Sequence, residues 1–153
     1  MLETLPCLPL FQDLNPEQVA LLKPLFEQFS CPPGAMILEQ GKPATHLYLL
    51  IRGEVAILYK PYDGPVITLT RLRDGDVFGW SAVVGSSCYT SSIVSETEVE
   101  AIRVQGVNLL RLLDEAPETG RIVMDRLARV VSSRWENAHA QVQALLNASQ
   151  RQT

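Results

Sequence analysis

Between Ala35 and Val104, short apolar runs alternate with turn residues at spacings of roughly 8 to 12 residues, a rhythm that few folds other than an all-β one can accommodate. The runs are Met36 to Leu38, Leu47 to Ile51, Glu54 to Tyr59, Pro65 to Leu72, Thr90 to Val94 and Val99 to Val104. Gly41, Gly53, Gly64, Gly75 and Gly79 fall between these runs or at their ends, where left-handed backbone or close chain approach costs glycine little. The expected class is therefore mainly β with helices (α+β): an antiparallel double-stranded β-helix, or jelly roll.

Both flanks read as helical. Asn15 can cap, Pro16 suits a first helical position and Glu17 complements the dipole, while Val19, Leu21, Leu22 and Leu25 supply an apolar face. Pro24 ends or bends that helix, and Cys31-Pro32-Pro33-Gly34 makes a turn. After Pro117, apolar positions Met124, Leu127, Val131, Trp135, Ala138, Val142 and Leu145 recur at intervals of three and four. A single helix from Glu118 to Asn147 would span roughly 45 Å at 1.5 Å per residue, longer than a domain of this size is wide. The expected organisation is one domain, with residues 1–116 forming the roll and its N-terminal helical segment and 117–153 the long helix, for dimerisation or as a lid.

Composition limits the function. A net charge of -4 disfavours broad attraction to phosphate backbones or anionic membranes. Cys7, Cys31 and Cys88 are widely spaced and form no C-x-x-C pair, so they are expected to be reduced and structural. Acidic Glu3 with Pro6 and Pro9 does not make a signal peptide, and no apolar run reaches the roughly 18 residues of a membrane span. The cytoplasm is the expected compartment.

The segment Gly75-Asp76-Val77-Phe78-Gly79, followed by Trp80-Ser81-Ala82-Val83-Val84, resembles the phosphate-binding cassette of the cyclic-nucleotide-binding domain family. Leu10-Phe11 before a helix, Gly34 with Ile37-Leu38-Glu39-Gln40-Gly41, and Leu47-Tyr48-Leu49-Leu50-Ile51-Arg52-Gly53-Glu54-Val55 match the family's patterns upstream. The likeness covers roughly Leu10 to Leu146. It implies a regulatory domain of the catabolite-activator and Fnr kind, with a strand ending at Phe78-Gly79 and a helical turn at Ser81 to Val84 whose N–H groups suit an anion.

In that family a glutamate binds the ribose hydroxyl and an arginine pairs with the cyclic phosphate. By position these places fall on Trp80 and Tyr89 here. A charge-assisted hydrogen bond contributes about 1.5 to 3 kcal/mol, so losing two would weaken binding by roughly a hundred- to ten-thousand-fold. No cofactor is expected, and ordinary high-affinity cAMP or cGMP binding is not. Three readings of the altered pocket stay open: no nucleotide, another small ligand, or weak nucleotide binding. The candidate lining is Phe78, Gly79, Trp80, Ser81, Ala82, Tyr89, Thr90 and Ser91, with Trp80 either a stacking plane or a cavity filler.

No catalytic constellation stands out. A cupin-like metal enzyme would share the roll, but His46 and His139 lie far apart in sequence with no His-x-His pair. The serines come without a G-x-S-x-G turn, and Asp74 and Asp76 flank Gly75 as turn carboxylates do. Many relatives carry a helix-turn-helix domain after the long helix, where this sequence stops at Thr153, so direct DNA binding is not expected. The cysteines also lack the clustered spacing of the Fnr iron–sulfur sensors.

The reading is thus a stand-alone regulatory or sensor domain and not an enzyme. It would signal through its C-terminal helix in a homodimer whose seam is formed by Leu127, Val131, Trp135, Ala138 and Val142. A protein-interaction scaffold with a vestigial pocket is the alternative.

Overall fold

Asn15 accepts a hydrogen bond from the Gln18 amide at 2.8 Å while the Gln18 side chain accepts one from the Asn15 amide at 3.0 Å, closing a capping box that starts helix α1 (Pro16–Leu22). Pro24 then falls within a 3-10 turn (Lys23–Leu25) that ends the helix. The computed structural model describes residues 11–84 and 87–129.

Eight strands follow: β1 (Phe26–Cys31), β2 (Met36–Leu38), β3 (His46–Arg52), β4 (Val55–Tyr59), β5 (Ile67–Leu72), β6 (Val77–Phe78), β7 (Ser92–Ser95) and β8 (Val99–Gln105). They form two four-stranded antiparallel sheets, ordered β1-β8-β3-β6 and β2-β7-β4-β5. Successive strands mostly cross between the sheets, as a jelly roll requires. Helix α2 (Ser81–Val84) interrupts the roll after β6, and α3 (Gly106–Glu115) follows β8. A further helix, α4, is described over residues 117–129.

Two cores lie on opposite faces of the first sheet. The outer one joins Leu47, Leu49, Ile102 and Val104 of that sheet to Phe11, Leu22, Leu109, Val123 and Leu127 of the helical layer. The inner one, between the sheets, joins Tyr48, Leu50, Phe78, Val99 and Ala101 to Leu38, Val55, Leu72, Tyr89 and Ile93. Alternation along β3 and β8 sends neighbouring residues to opposite cores, which is why β3 reads as a nearly continuous apolar run and β8 keeps apolar residues on both faces around Glu100 and Arg103.

Two elements escape the sequence reading. Phe26–Cys31 is an edge strand paired with β8 from Phe26↔Val104 to Cys31↔Val99, not part of a helix-and-turn segment. Polar Glu27 and Gln28 between its aromatics hide the alternation. Gly106–Glu115 is a separate helix that precedes α4, placed so that Leu109 and Leu112 enter the outer core.

Leu127 also requires a correction. It is 2% exposed within the outer core, so its side chain is covered by its own chain and is not free for an intermolecular seam. Burying a leucine in this way contributes about 1.5 to 3 kcal/mol. The other expected seam positions, Val131, Trp135, Ala138 and Val142, lie outside the described residues.

Candidate functional site

Val77 and Phe78 pair with Leu49 and Tyr48, which buries both and fixes where the chain leaves the sheet. Gly79 follows with φ +83, and a Cβ added there would stand 2.5 Å from the His46 carbonyl oxygen. Only glycine fits such a left-handed residue pressed on a neighbouring backbone. The chain then turns into α2, with the Ala82 amide donating to the Gly79 carbonyl at 3.1 Å and the Val83 amide to that of Trp80 at 2.9 Å. The sequence-expected helical turn at Ser81–Val84 is thus present.

The candidate lining divides between the two cores. Phe78 and Tyr89 belong to the inner core, where Phe78 stacks on Tyr48 with centroids 4.9 Å apart and rings 6° from parallel. Phe29 meets the same Tyr48 edge-on at 5.3 Å, so aromatic rings fill this end of the roll. Trp80 is half-buried and packs against the outer, helix-side core. Ser81, Ala82 and Ser91 are half-buried, and Thr90 is exposed.

Tyr89 is the best-held member of the set. It is 7% exposed, and its hydroxyl receives the backbone amides of Thr45 at 3.2 Å and His46 at 3.0 Å while donating to the His46 carbonyl at 2.8 Å. A phenol has one donor and two acceptor positions, so all three are in use. Leaving such part-buried donors unmatched would cost about 1 to 3 kcal/mol for each group. Its own backbone is also tied down: the Tyr89 amide donates to the Lys42 carbonyl at 2.9 Å and its carbonyl accepts from the Gly41 amide at 2.9 Å. The Tyr89 hydroxyl is therefore engaged by Thr45 and His46.

Thr45 and His46, which the sequence did not single out as a site, form the junction of the region. The Thr45 carbonyl accepts from the Gly106 amide at 2.9 Å, linking β3 to the first residue of α3. A Cβ added on Gly106 would run into the Ala82 carbonyl oxygen, so α3 begins directly against α2. No short motif signals such a meeting point, because its three parts, Thr45–His46, Ala82 and Gly106, lie more than 20 positions apart in the chain.

A polar rung crosses the first sheet beside this junction. Glu27, Arg103, Tyr48 and Phe78 are successive cross-strand partners on β1, β8, β3 and β6. The Arg103 Nε donates to Glu27, its Nη1 reaches the Tyr48 hydroxyl at 3.4 Å, and its guanidinium lies 5.3 Å from the Phe29 ring centroid. The His46 Nε2 is 3.7 Å from the same Glu27 oxygen and its Nδ1 is 2.9 Å from the Thr45 hydroxyl. Burial, then the Arg103 charge, hold the His46 imidazole below its ordinary pKa, against a smaller pull from Glu27. Burial pushes the Tyr48 phenol up.

Asp74 and Asp76 act as turn residues. Asp74 accepts from the Gly53 amide at 2.9 Å and Asp76 from the Arg73 amide at 2.7 Å. Among the described residues, no three His, Cys, Asp or Glu side chains gather in a way that would hold a metal ion, and no helix is long and apolar enough to cross a membrane.

Comparison with known proteins adds independent findings. The sequence profile of the cyclic nucleotide-binding domain matches residues 28–116. A CRP-like cAMP-activated global transcriptional regulator of Mycobacterium tuberculosis is 29% identical over 120 residues, 78% of this chain and 54% of that protein. This chain thus spans about half the length of that relative. Among solved structures, a cyclic nucleotide-binding domain from Methylobacillus flagellatus superposes with TM-score 0.79 at 22% identity, covering 94% of this chain and 80% of that one. The regulatory subunit of a cAMP-independent protein kinase A from Trypanosoma brucei superposes with TM-score 0.73 at 20% identity, covering 94% and 49%.

Proposed function

Because this chain belongs to the cyclic nucleotide-binding domain family, we propose that it is a regulatory module whose roll does not take up cAMP or cGMP with the family's ordinary affinity. Tyr89 carries this reading. It stands where the resemblance places the phosphate-pairing arginine, brings no positive charge, and has its hydroxyl committed to Thr45 and His46. Trp80, at the glutamate's place, packs toward the helices. A protein of the same fold, the trypanosome subunit, is described as the regulatory subunit of a cAMP-independent protein kinase A.

Thermal unfolding and calorimetry with cAMP, cGMP and cyclic dinucleotides test the proposal. A micromolar site would gain about 4.1 kcal/mol at millimolar ligand. The wild-type chain is expected to show no such gain, and the double variant Trp80→Glu, Tyr89→Arg to acquire part of it. A wild-type gain of that size with cAMP would refute the reading.

The output side of the module is the helical layer behind α2. Its apolar three-and-four spacing continues through Val131, Trp135, Ala138 and Val142, which we assign to a homodimer seam, and the module is taken to act in the cytoplasm. Val131→Asp is expected to halve the mass measured by sedimentation; an unchanged mass removes the seam.

A further inference from the structure

The entry to β3 presents two consecutive amides, those of Thr45 and His46, to one oxygen atom. Converging backbone donors of this kind are the arrangement by which proteins hold an anionic or strongly accepting group. Here the group is the Tyr89 phenol oxygen, delivered from inside the chain and returning its own proton to the His46 carbonyl. The ring below it fills the inner core among Tyr48, Phe78 and Ile93.

Resting on the functional reading above, we infer that Tyr89 serves the roll as a built-in ligand, its phenol clasping the Thr45–His46 junction and so holding the module in one regulatory state without a diffusible molecule. The clasp reaches the output side through main chain. Thr45, whose amide binds the phenol, takes the Gly106 amide on its carbonyl at 2.9 Å. His46, whose amide and carbonyl both bind the phenol, has its carbonyl pressed against Gly79 at the entry to α2. Gly106 abuts the Ala82 carbonyl in turn, so α2 and α3 are both seated on the dipeptide that Tyr89 holds. Tyr89 is a positioning residue in this scheme.

Two variants separate the hydroxyl from the ring. In Tyr89→Phe the ring stays and the clasp is lost, so amide hydrogen exchange at Thr45 and His46 is expected to accelerate at least tenfold. Gly106 should follow, while Ile102, in the middle of β8, stays within twofold of wild type. Tyr89→Ala removes both ring and hydroxyl, and phenol is the probe. It is expected to restore slow exchange at Thr45 and His46, whereas benzene, with the same ring and no hydroxyl, is not.

Exchange at Thr45, His46 and Gly106 in Tyr89→Phe that matches wild type would overturn the clasp, as would equal rescue of Tyr89→Ala by benzene. The two proposals fail in different ways. Micromolar cAMP uptake by the wild-type chain sinks the functional reading whatever the exchange rates, whereas unchanged exchange with no uptake sinks the clasp alone.

Discussion

Replacing Gly79 by alanine isolates what close packing at the cassette entry contributes. Gly79 has φ +83, a conformation that costs an L-residue about 1 to 2 kcal/mol. Alanine offsets about 0.4 to 1 kcal/mol of that by restricting the unfolded chain. Its methyl carbon would also lie 2.5 Å from the His46 carbonyl oxygen, which is backbone and must move for the variant to fold. Such overpacking costs about 1 to 3 kcal/mol. Gly75 supplies the control, since it has φ +87 but an added Cβ meets nothing within 4 Å. Gly75→Ala should therefore lose about 1 kcal/mol and Gly79→Ala about 2 to 4 kcal/mol, measured by urea unfolding of both variants at one temperature. Displacing the His46 carbonyl should also lengthen the bond it accepts from Tyr89, so Gly79→Ala is expected to speed exchange at Thr45 and His46. Equal losses for the two variants would refute the packing account.

Three further outcomes are expected. The His46 imidazole, followed by proton NMR, should titrate below 6.5 in the folded protein, so that stability from this group is fully present above 6.5 and is lost as pH falls through the folded-state value. Glu27→Gln should depress that value further, and a folded-state titration at or above 6.5 would contradict the assignment. Ser95 is buried, accepts the Ala35 amide at 2.8 Å and donates to the Pro32 carbonyl at 2.7 Å, so Ser95→Ala should cost about 1 to 3 kcal/mol in chemical denaturation. Leu127→Ala should lower stability by about 2 to 5 kcal/mol while leaving the sedimentation mass unchanged; a mass change without a stability loss would return this residue to an intermolecular contact.

Most of the strands were legible because each carries its own signal. His46–Arg52 and Val99–Gln105 are apolar runs bounded by turn residues, and Phe78-Gly79 before Ser81–Val84 announces a strand passing into a helical turn. Where the signal lies in a partner, the sequence was silent. Phe26–Cys31 owes its strand character to pairing with β8, seventy-odd residues later. Helix α3 follows β8 with no proline or turn cluster between them, so its start at Gly106 is marked chiefly by contact with Thr45 and Ala82. The site was half legible for the same reason. The positions of Trp80 and Tyr89 were singled out only through the resemblance to the family's cassette, whereas the destination of the Tyr89 hydroxyl depends on residues 43 and 44 positions away.

The junction between roll and helices is made of peptide groups: Thr45 to Gly106, Gly79 against His46, Gly106 against Ala82. Substituting the side chains that line the roll leaves these carbonyls and amides chemically the same. The contacts at Gly79 and Gly106 are therefore set by the path of the backbone and not by the identity of the side chains around them. A junction of this kind tolerates changes of residue type around it but not a shift of the main chain at Thr45, Gly79 or Gly106.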